Sequence, residues 1–183
     1  MKYGLFIGRF QPMHIGHQSI LNHIRALNFH PVVLIGSAQE ENTTKNPLNY
    51  QQRAATFRKQ GVLTHPLYDQ PTNEEWVQSI QTIVNIYGID NVTLFIHNKP
   101  SEAGKYGLDT DTYISDTIQQ QIPDLPVNHL TDICTVPLNA TDIRNSVQQL
   151  THIVDQQTLQ TLINYYYTKD AIDELFTNSS KAG

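Results

Sequence analysis

One stretch near the N-terminus decides the fold: residues 3–17, which read YGLFIGRFQPMHIGH. The apolar run Tyr3–Ile7 is short and bounded by glycine, which predicts a buried strand. The segment from His14 to Leu27 then carries apolar side chains at helical spacing, at Ile15, Ile20, Leu21, Ile24 and Leu27. This stretch therefore predicts a strand that runs directly into a helix, the first half of a βαβ unit.

The same alternation continues outward along the chain. Short apolar runs predict further strands over 31–35, 62–68, 92–96 and 127–130, and the segments between them predict helices over 49–60, 72–87 and 112–121. This order predicts an α/β fold with a central parallel sheet of about five strands and helices on both faces. We expect a single domain over 1–177, with helices beginning at 141 and over 152–166 and 170–176, and a frayed tail over 178–183.

Composition excludes several classes of protein. The 183-residue chain is 39% hydrophobic and 16% charged, and its net charge of −5 argues against a broad nucleic-acid surface. Its single cysteine, Cys134, excludes an intramolecular disulfide and a cysteine zinc cluster. No apolar run approaches the roughly 20 residues that cross a bilayer, and the N-terminus does not read as a secretory signal. We therefore expect a cytoplasmic protein that binds neither nucleic acid nor membranes.

The turn after the first strand has the composition of an anion site. A helix N-terminus offers unpaired N–H groups and the positive end of its dipole, and Gly8 and Gly16 allow a ligand to approach the backbone. His14 and His17 are three residues apart, so they share one face of the first helical turn, beside the cation Arg9. Two ordinary surface or capping histidines fit the same spacing, whereas a metal site would need a third ligand that the pattern lacks.

A second helix start near the C-terminus has a similar character. Thr141 is predicted to cap a short helix, and Arg144 follows three residues later on the same face. Taken alone, this pattern fits a capped helix with a solvent-facing arginine. Together with the histidine turn it favours a functional role, because the segments that follow parallel strands meet at one edge of the sheet.

Five motifs together resemble the nucleotidyltransferase superfamily with the His-x-Gly-His motif. They are Gly8–Pro12 with His14 and His17; Ile35–Gln39 with Asn46, Pro47 and Arg53; Asp69 with Trp76; Ile96–Lys99; and Asn139–Arg144. More narrowly, the chain is similar to nicotinamide mononucleotide (NMN) adenylyltransferases of the archaeal type and to the adenylyltransferase half of bacterial enzymes fused to a Nudix hydrolase. The resemblance implies a Rossmann-like nucleotidyltransferase fold. It also implies transfer of AMP from ATP to NMN, which yields NAD and pyrophosphate in NAD biosynthesis.

The resemblance also implies a role for each site residue. The residues implied in catalysis are His14, His17, Lys45 and Arg144. Those implied in ATP binding are Gly8, Arg9, Phe10, Asn139 and Thr141, and those implied in NMN or NAD binding are Asp69, Trp76, Arg53, His97 and Lys99. Mg²⁺ would arrive bound to ATP, and a homo-oligomer is an expectation from the relatives.

Several alternatives stay open at this point. Lys45 stands where relatives often carry arginine, and Ile96 stands where they carry glycine. Arg53 fits a surface ion pair with an acid as well as it fits the site, and Trp76 fits a core position. Alternative activities are a pantetheine-phosphate adenylyltransferase or a cytidylyltransferase of the same superfamily, or a non-catalytic module that senses NAD or another nucleotide.

Overall fold

The computed structural model describes residues 1–43, 45–97, 113–130 and 140–150, with side chains in the last range through residue 145. The predictions for Lys99, the loop after it, Cys134, Asn139 and everything beyond 150 lie outside the described residues. Within those residues, no helix is both long enough and apolar enough to span a membrane.

Strands and helices alternate throughout the described residues. They are β1 Tyr3–Gly8, α1 Ile15–Ala26, β2 His30–Ile35, α2 Tyr50–Arg58, β3 Leu63–Pro66, α3 Asn73–Tyr87, β4 Val92–Ile96, α4 Ile114–Gln121, β5 Val127–His129 and α5 Ala140–Leu150. All five predicted strands are present, and β3 is shorter than the predicted run at both ends. The predicted α/β class is therefore confirmed.

The five strands form one parallel sheet in the order β3-β2-β1-β4-β5. Strand order reverses between β1 and β4, because the chain adds strands first on one side of β1 and then on the other. Ligands of such sheets bind beyond the carboxyl ends of the strands at this reversal. We call the loops that leave those ends, residues 9–14, 36–49, 67–72 and 97, the carboxyl edge.

The core lies on both faces of this sheet, because successive strand residues point to opposite sides. Leu5 and Leu34 belong to a cluster under α3 and α4, which also contains Val32, Ile80, Val84, Leu94 and Ile118. Phe6 and Val33, the neighbours of Leu5 and Leu34, belong to a second cluster under α1 and α2 with Leu21, Ile24, Phe57 and Phe95. The predicted helices on both faces are thus present.

Helices α1, α2 and α3 begin at capping boxes, in which the cap and the third helical residue exchange hydrogen bonds with each other's backbone. The cap residues are His14 for α1, Asn49 for α2 and Thr72 for α3. Asn49 and Thr72 occupy the positions that the sequence predicts for them. Each cap fixes the path by which the chain leaves the carboxyl edge and enters a helix.

Candidate functional site

His14 and His17 form the start of α1. The Nδ1 atom of His14 accepts from the backbone N–H of Gly16 at 3.1 Å, and the Nδ1 atom of His17 accepts from the backbone N–H of His14 at 3.2 Å. The two rings stack with their centroids 3.7 Å apart, so the predicted shared face is confirmed. Because each Nδ1 accepts, the proton of each neutral ring lies on Nε2, which makes Nε2 the donor atom of both rings.

Phe10 anchors the histidine turn through its buried side chain. Its side chain is 2% exposed and packs edge-on against the rings of His17 and Phe57, each with its centroid 4.8 Å away. Its backbone has a φ of 53°, which is unusual for a bulky residue. A Cβ atom added to Gly8 would meet the Phe10 ring at 2.8 Å, so Gly8 is required here for packing as well as for access. Any contact of Phe10 with a ligand therefore falls to its backbone.

Arg144 brings α5 to the histidine turn. Its Nη1 atom donates to the carbonyl of Gln11 at 2.8 Å, and Gln11 lies three residues before His14. Its Nη2 atom donates to the Thr141 hydroxyl at 3.2 Å, and the arginine side chain is 9% exposed. The start of α5 thus lies beside the start of α1, as the paired motifs predict.

The predicted helix boundary at Thr141 is wrong by one residue. Helix α5 begins at Ala140, so Thr141 lies within the first turn instead of at the cap. The helix is also longer than the short one predicted, at 11 residues. The Thr141 hydroxyl supports the Arg144 guanidinium from one turn away, which keeps both residues on the face predicted from their spacing.

Arg53 does not lie on the surface, so the surface ion pair considered for it is wrong. Its side chain is 2% exposed, and its guanidinium donates four hydrogen bonds to backbone carbonyls, those of Asn49, Arg9, Gly36 and Ser37. Burial, helped by the charge of Arg9, lowers the pKa of Arg53 to about 10, so the group stays charged at neutral pH. A guanidinium has five donors in all, and most of this one is therefore committed to the loops.

Asp69 follows β3 and is held by the loop after β2. Its two carboxylate oxygens accept from the Ser37 hydroxyl at 3.1 Å and from the Gln39 amide at 2.7 Å. Its backbone N–H donates to the Gln39 side-chain oxygen at 3.2 Å. The carboxylate is exposed, so it is accessible at the carboxyl edge while its orientation is fixed.

The remaining described candidates lie around the same edge. Trp76, near the start of α3, is partly buried against the apolar cluster under α3 and α4, so it contributes to the core and keeps an accessible part. Lys45 is exposed in the loop after β2, and among the described residues it makes no hydrogen bond or ion pair. His97 is exposed directly after β4, beside the point where strand order reverses.

Two polar residues matter more than the sequence motifs alone indicate. Gln11 is 2% exposed, and its amide exchanges hydrogen bonds of 2.7 and 2.9 Å with the backbone of Leu48 across the loop after β2. Asn46 is 7% exposed, and its buried side-chain oxygen has no hydrogen-bond partner among the residues that the structure describes. Both residues lie within the motifs quoted above, but those motifs do not indicate that either side chain is buried.

Comparison with known proteins identifies the family and the relatives of this chain. The family model described as cytidylyltransferase-like matches residues 5–146. A protein named nicotinamide-nucleotide adenylyltransferase from Pyrococcus abyssi is 37% identical over 93 residues, which are 46% of this chain and 50% of the relative. One of the same name from Methanoculleus marisnigri is 36% identical over 89 residues, which are 45% of this chain and 53% of the relative. The chain spans about half the length of the curated relatives it matches.

Solved structures share the fold at low sequence identity. A bifunctional NMN adenylyltransferase/ADP ribose pyrophosphatase from Francisella tularensis, complexed with AMP and a Mn ion, superposes with a TM-score of 0.61 at 19% identity over 98% of this chain and 53% of that one. A Plasmodium falciparum nicotinic acid mononucleotide adenylyltransferase has a TM-score of 0.53 at 12% identity over 97% and 96% of the two chains. The Rossmann-like nucleotidyltransferase fold is confirmed. Because the family match runs from β1 into α5 and so includes the histidine turn and Arg144, this chain belongs to the cytidylyltransferase-like family.

Proposed function

We propose that this protein transfers the AMP group of ATP to NMN, which forms NAD and pyrophosphate. The observation that carries the proposal is the hydrogen bond from Arg144 to the Gln11 carbonyl, because it places a buried cation beside the stacked histidines. Two cationic helix starts at one sheet edge suit a polyphosphate. The names of the archaeal relatives, which match over about half their length, support NMN as the second substrate.

The reaction needs alignment and charge neutralisation more than acid–base chemistry. A phosphate monoester has a second pKa near 6, so the NMN phosphate is largely dianionic at neutral pH and needs no general base. One of its oxygens attacks the α-phosphorus of ATP, and the bond from that phosphorus to the pyrophosphate oxygen breaks with its electron pair. The protein therefore has to hold two anions in line and stabilise the charge that develops on pyrophosphate.

The histidine turn and α5 supply the phosphate contacts. We assign the Nε2 donors of His14 and His17 and the charge of Arg144 to the reacting phosphates, with Arg9 and Lys45 as further cations. The turn backbone at Gly8 and Phe10, with Thr141 and Asn139, would complete the ATP site. Buried donors that are already oriented cost little reorganisation when charge develops.

The loops after β2 and β3 supply the NMN side. Trp76 would place its indole face against the cationic nicotinamide ring, an attraction of roughly 0.5–2 kcal/mol. Asp69, whose carboxylate is already oriented by Ser37 and Gln39, would lie near that positive ring or its carboxamide. His97 and Lys99 would contribute at the switch point between β1 and β4.

A divalent cation enters this proposal as part of the nucleotide. The Francisella neighbour is complexed with AMP and a Mn ion. Within the part of the chain that the structure describes, no group of three or more His, Cys, Asp or Glu side chains could hold a metal ion. Because Mg²⁺ in such sites is usually bound through substrate phosphates, we propose that it arrives with ATP as the Mg·ATP substrate. A cytoplasmic location and a homo-oligomeric state stay predictions.

The test is the formation of NAD and pyrophosphate from NMN, Mg·ATP and the purified protein. Nicotinic acid mononucleotide replaces NMN in a parallel reaction, and phosphopantetheine with ATP or a phosphorylated alcohol with CTP serve as the competing substrate pairs. The proposal expects NAD and pyrophosphate in equal amounts. Reaction of a competing pair without NAD formation overturns it, and so does tight NAD binding without any release of pyrophosphate, the behaviour of a sensing module.

A further inference from the structure

We propose that Arg53 is a positioning residue that couples the phosphate half of the site to its nicotinamide half. The inference rests on the proposed function, since the two halves are those of the ATP and NMN sites described above. It assigns Arg53 no contact with either substrate. Its action is instead to fix two loops of the carboxyl edge relative to each other through their backbone carbonyls.

One nitrogen of Arg53 joins the ends of two strands. Its Nη1 atom donates at 2.8 Å both to the carbonyl of Arg9, directly after β1, and to the carbonyl of Gly36, directly after β2. The Gly36 N–H in turn donates to the carbonyl of Gly8 at 2.8 Å. The two loops therefore leave neighbouring strands with a fixed separation, and the first of them leads to His14.

The other side of the guanidinium reaches toward Asp69. The Nη2 atom donates to the carbonyl of Ser37 at 3.1 Å, and the Ser37 hydroxyl donates to Asp69 at the same distance. Ser37 has a φ of 45°, a left-handed conformation that costs energy for a residue other than glycine. The Arg53 contact helps to hold that conformation, and with it the orientation of the Asp69 carboxylate.

An arginine suits this task better than any other cation. A guanidinium is a planar fork whose donors point in several fixed directions, whereas the lysine ammonium is a compact point charge. Water has little access to a side chain that is 2% exposed, so a carbonyl that loses its donor here stays unsatisfied. Among the described residues Arg53 forms no ion pair, so its contacts are those to the loop carbonyls.

The chain offers a matched control at the opposite end of the sheet. Arg25, in the last turn of α1, donates from Nη2 to the carbonyl of Gln60 at 2.9 Å. This contact also joins an arginine to a distant backbone carbonyl, but it lies away from the carboxyl edge. Arg25→Lys therefore reports what the loss of such a contact does to the folded protein in general.

The experiment compares Arg53→Lys with Arg25→Lys and the wild type in two ways. Steady-state kinetics gives kcat and the KM values for NMN and ATP, and the fluorescence of Trp76, the single tryptophan, follows NMN binding. Amide hydrogen exchange of Gly36, Ser37 and Asp69 is measured on the ligand-free proteins, which requires no activity. Thermal melting shows that each variant is folded.

We expect Arg53→Lys to weaken the binding of both substrates and to lower kcat/KM for each at least tenfold. Small misplacements of reacting groups reduce the rate by such factors. Exchange at Gly36 and Asp69 should rise, and Arg25→Lys should change neither readout. Weaker binding of one substrate alone, or effects no larger than those of Arg25→Lys, overturns the proposed coupling of the two halves of the site. A wild type that forms no NAD while exchange still rises in Arg53→Lys contradicts the proposed function and leaves the loop coupling in place.

Discussion

The two ends of the sheet use left-handed backbone differently. At the amino ends of the strands, the turns after α1 and α2 place Asn28 at a φ of 62° and Gly61 at 72°. Both residue types adopt this region at low cost. At the carboxyl edge Asn42 also adopts this region, with a φ of 56°, but so do Phe10 and Ser37, for which it costs more. Among the described residues, the costly left-handed positions thus lie at the carboxyl edge.

The loops at the two ends are also held differently. At the carboxyl edge three buried polar side chains, Gln11, Arg53 and Arg144, bond to backbone groups of other loops. Among the described residues at the amino end, the half-buried Arg25 bonds to a distant backbone carbonyl in a comparable way. Buried polar groups and strained backbone cluster at functional sites because they fix a geometry that packing alone would not. This difference between the two ends of the sheet supports a rigid, preorganised carboxyl edge.

The largest effect should follow from a change within the histidine turn. His17→Ala removes a donor that we assign to the reacting phosphates, and we expect kcat to fall about a hundredfold or more. KM for ATP should change much less, because the donor is needed most where charge develops. The measurement is steady-state production of NAD, with circular dichroism to confirm folding.

A second histidine of α1 provides the control for this variant. His23 lies in the last turn of α1, near the amino end of the sheet, and His23→Ala should retain wild-type kcat. An unchanged kcat with a raised KM in His17→Ala would contradict a role in the transition state. Equal losses in both variants would mean that damage to the helix, and not the position of the histidine, explains the result.

The sequence predicts part of this difference between the two ends of the sheet. How much it predicts depends on how far apart in sequence the interacting residues are. The shared face of His14 and His17 follows from helical spacing. The approach of Arg144 to the histidine turn follows from two helix starts that suit phosphate binding and that meet at one edge of an α/β sheet. Apart from the local bond from Arg53 to Asn49, the contacts of Gln11 and Arg53 span between 16 and 44 residues and depend on the path of each loop. Periodicity carries no information about such paths, so the sequence fits a surface position of Arg53 as well as a position at the site.

Substitutions on the NMN side of the site should affect the kinetics less than substitutions on the phosphate side. Trp76→Ala should raise KM for NMN by roughly 2- to 30-fold, the range that corresponds to the 0.5–2 kcal/mol of a cation–π contact. KM for ATP should stay close to that of the wild type. Trp76→Phe keeps an aromatic face and should recover part of the loss. An equal rise in KM for both substrates, or a protein that no longer folds, would favour a purely structural role for the indole.

A change at the amino end should alter stability without altering activity. Gly61→Ala places a Cβ atom in open space but at a φ of 72°, so only backbone strain changes. We expect unfolding in urea to show a loss of about 1–2 kcal/mol, with kcat and both KM values unchanged. Gly61→Asn should lose less, because asparagine tolerates this conformation. A loss of activity in the folded alanine variant would show that the two ends are not independent.

The smallest effect expected is a pH dependence that arises on the α3 side of the sheet. Burial lowers the pKa of His65, whose Nε2 atom lies 2.6 Å from the Tyr87 hydroxyl. The Tyr87 ring in turn packs against the Tyr3 ring. The unfolded chain therefore binds a proton more readily than the folded one. The stability from neutral His65 is complete above its ordinary pKa of about 6.5 and is lost as pH falls through the lower folded value.

Substitution isolates this contribution. His65→Asn should flatten the decline in the free energy of unfolding between about pH 7 and pH 5, measured by urea denaturation at each pH. His30→Asn, at an exposed position on β2, should retain the wild-type slope. Since neither residue belongs to the carboxyl edge, kcat at neutral pH should be unchanged in both variants. A wild-type slope in His65→Asn would place the acid sensitivity on other groups, and a lower kcat would extend the functional region beyond the carboxyl edge.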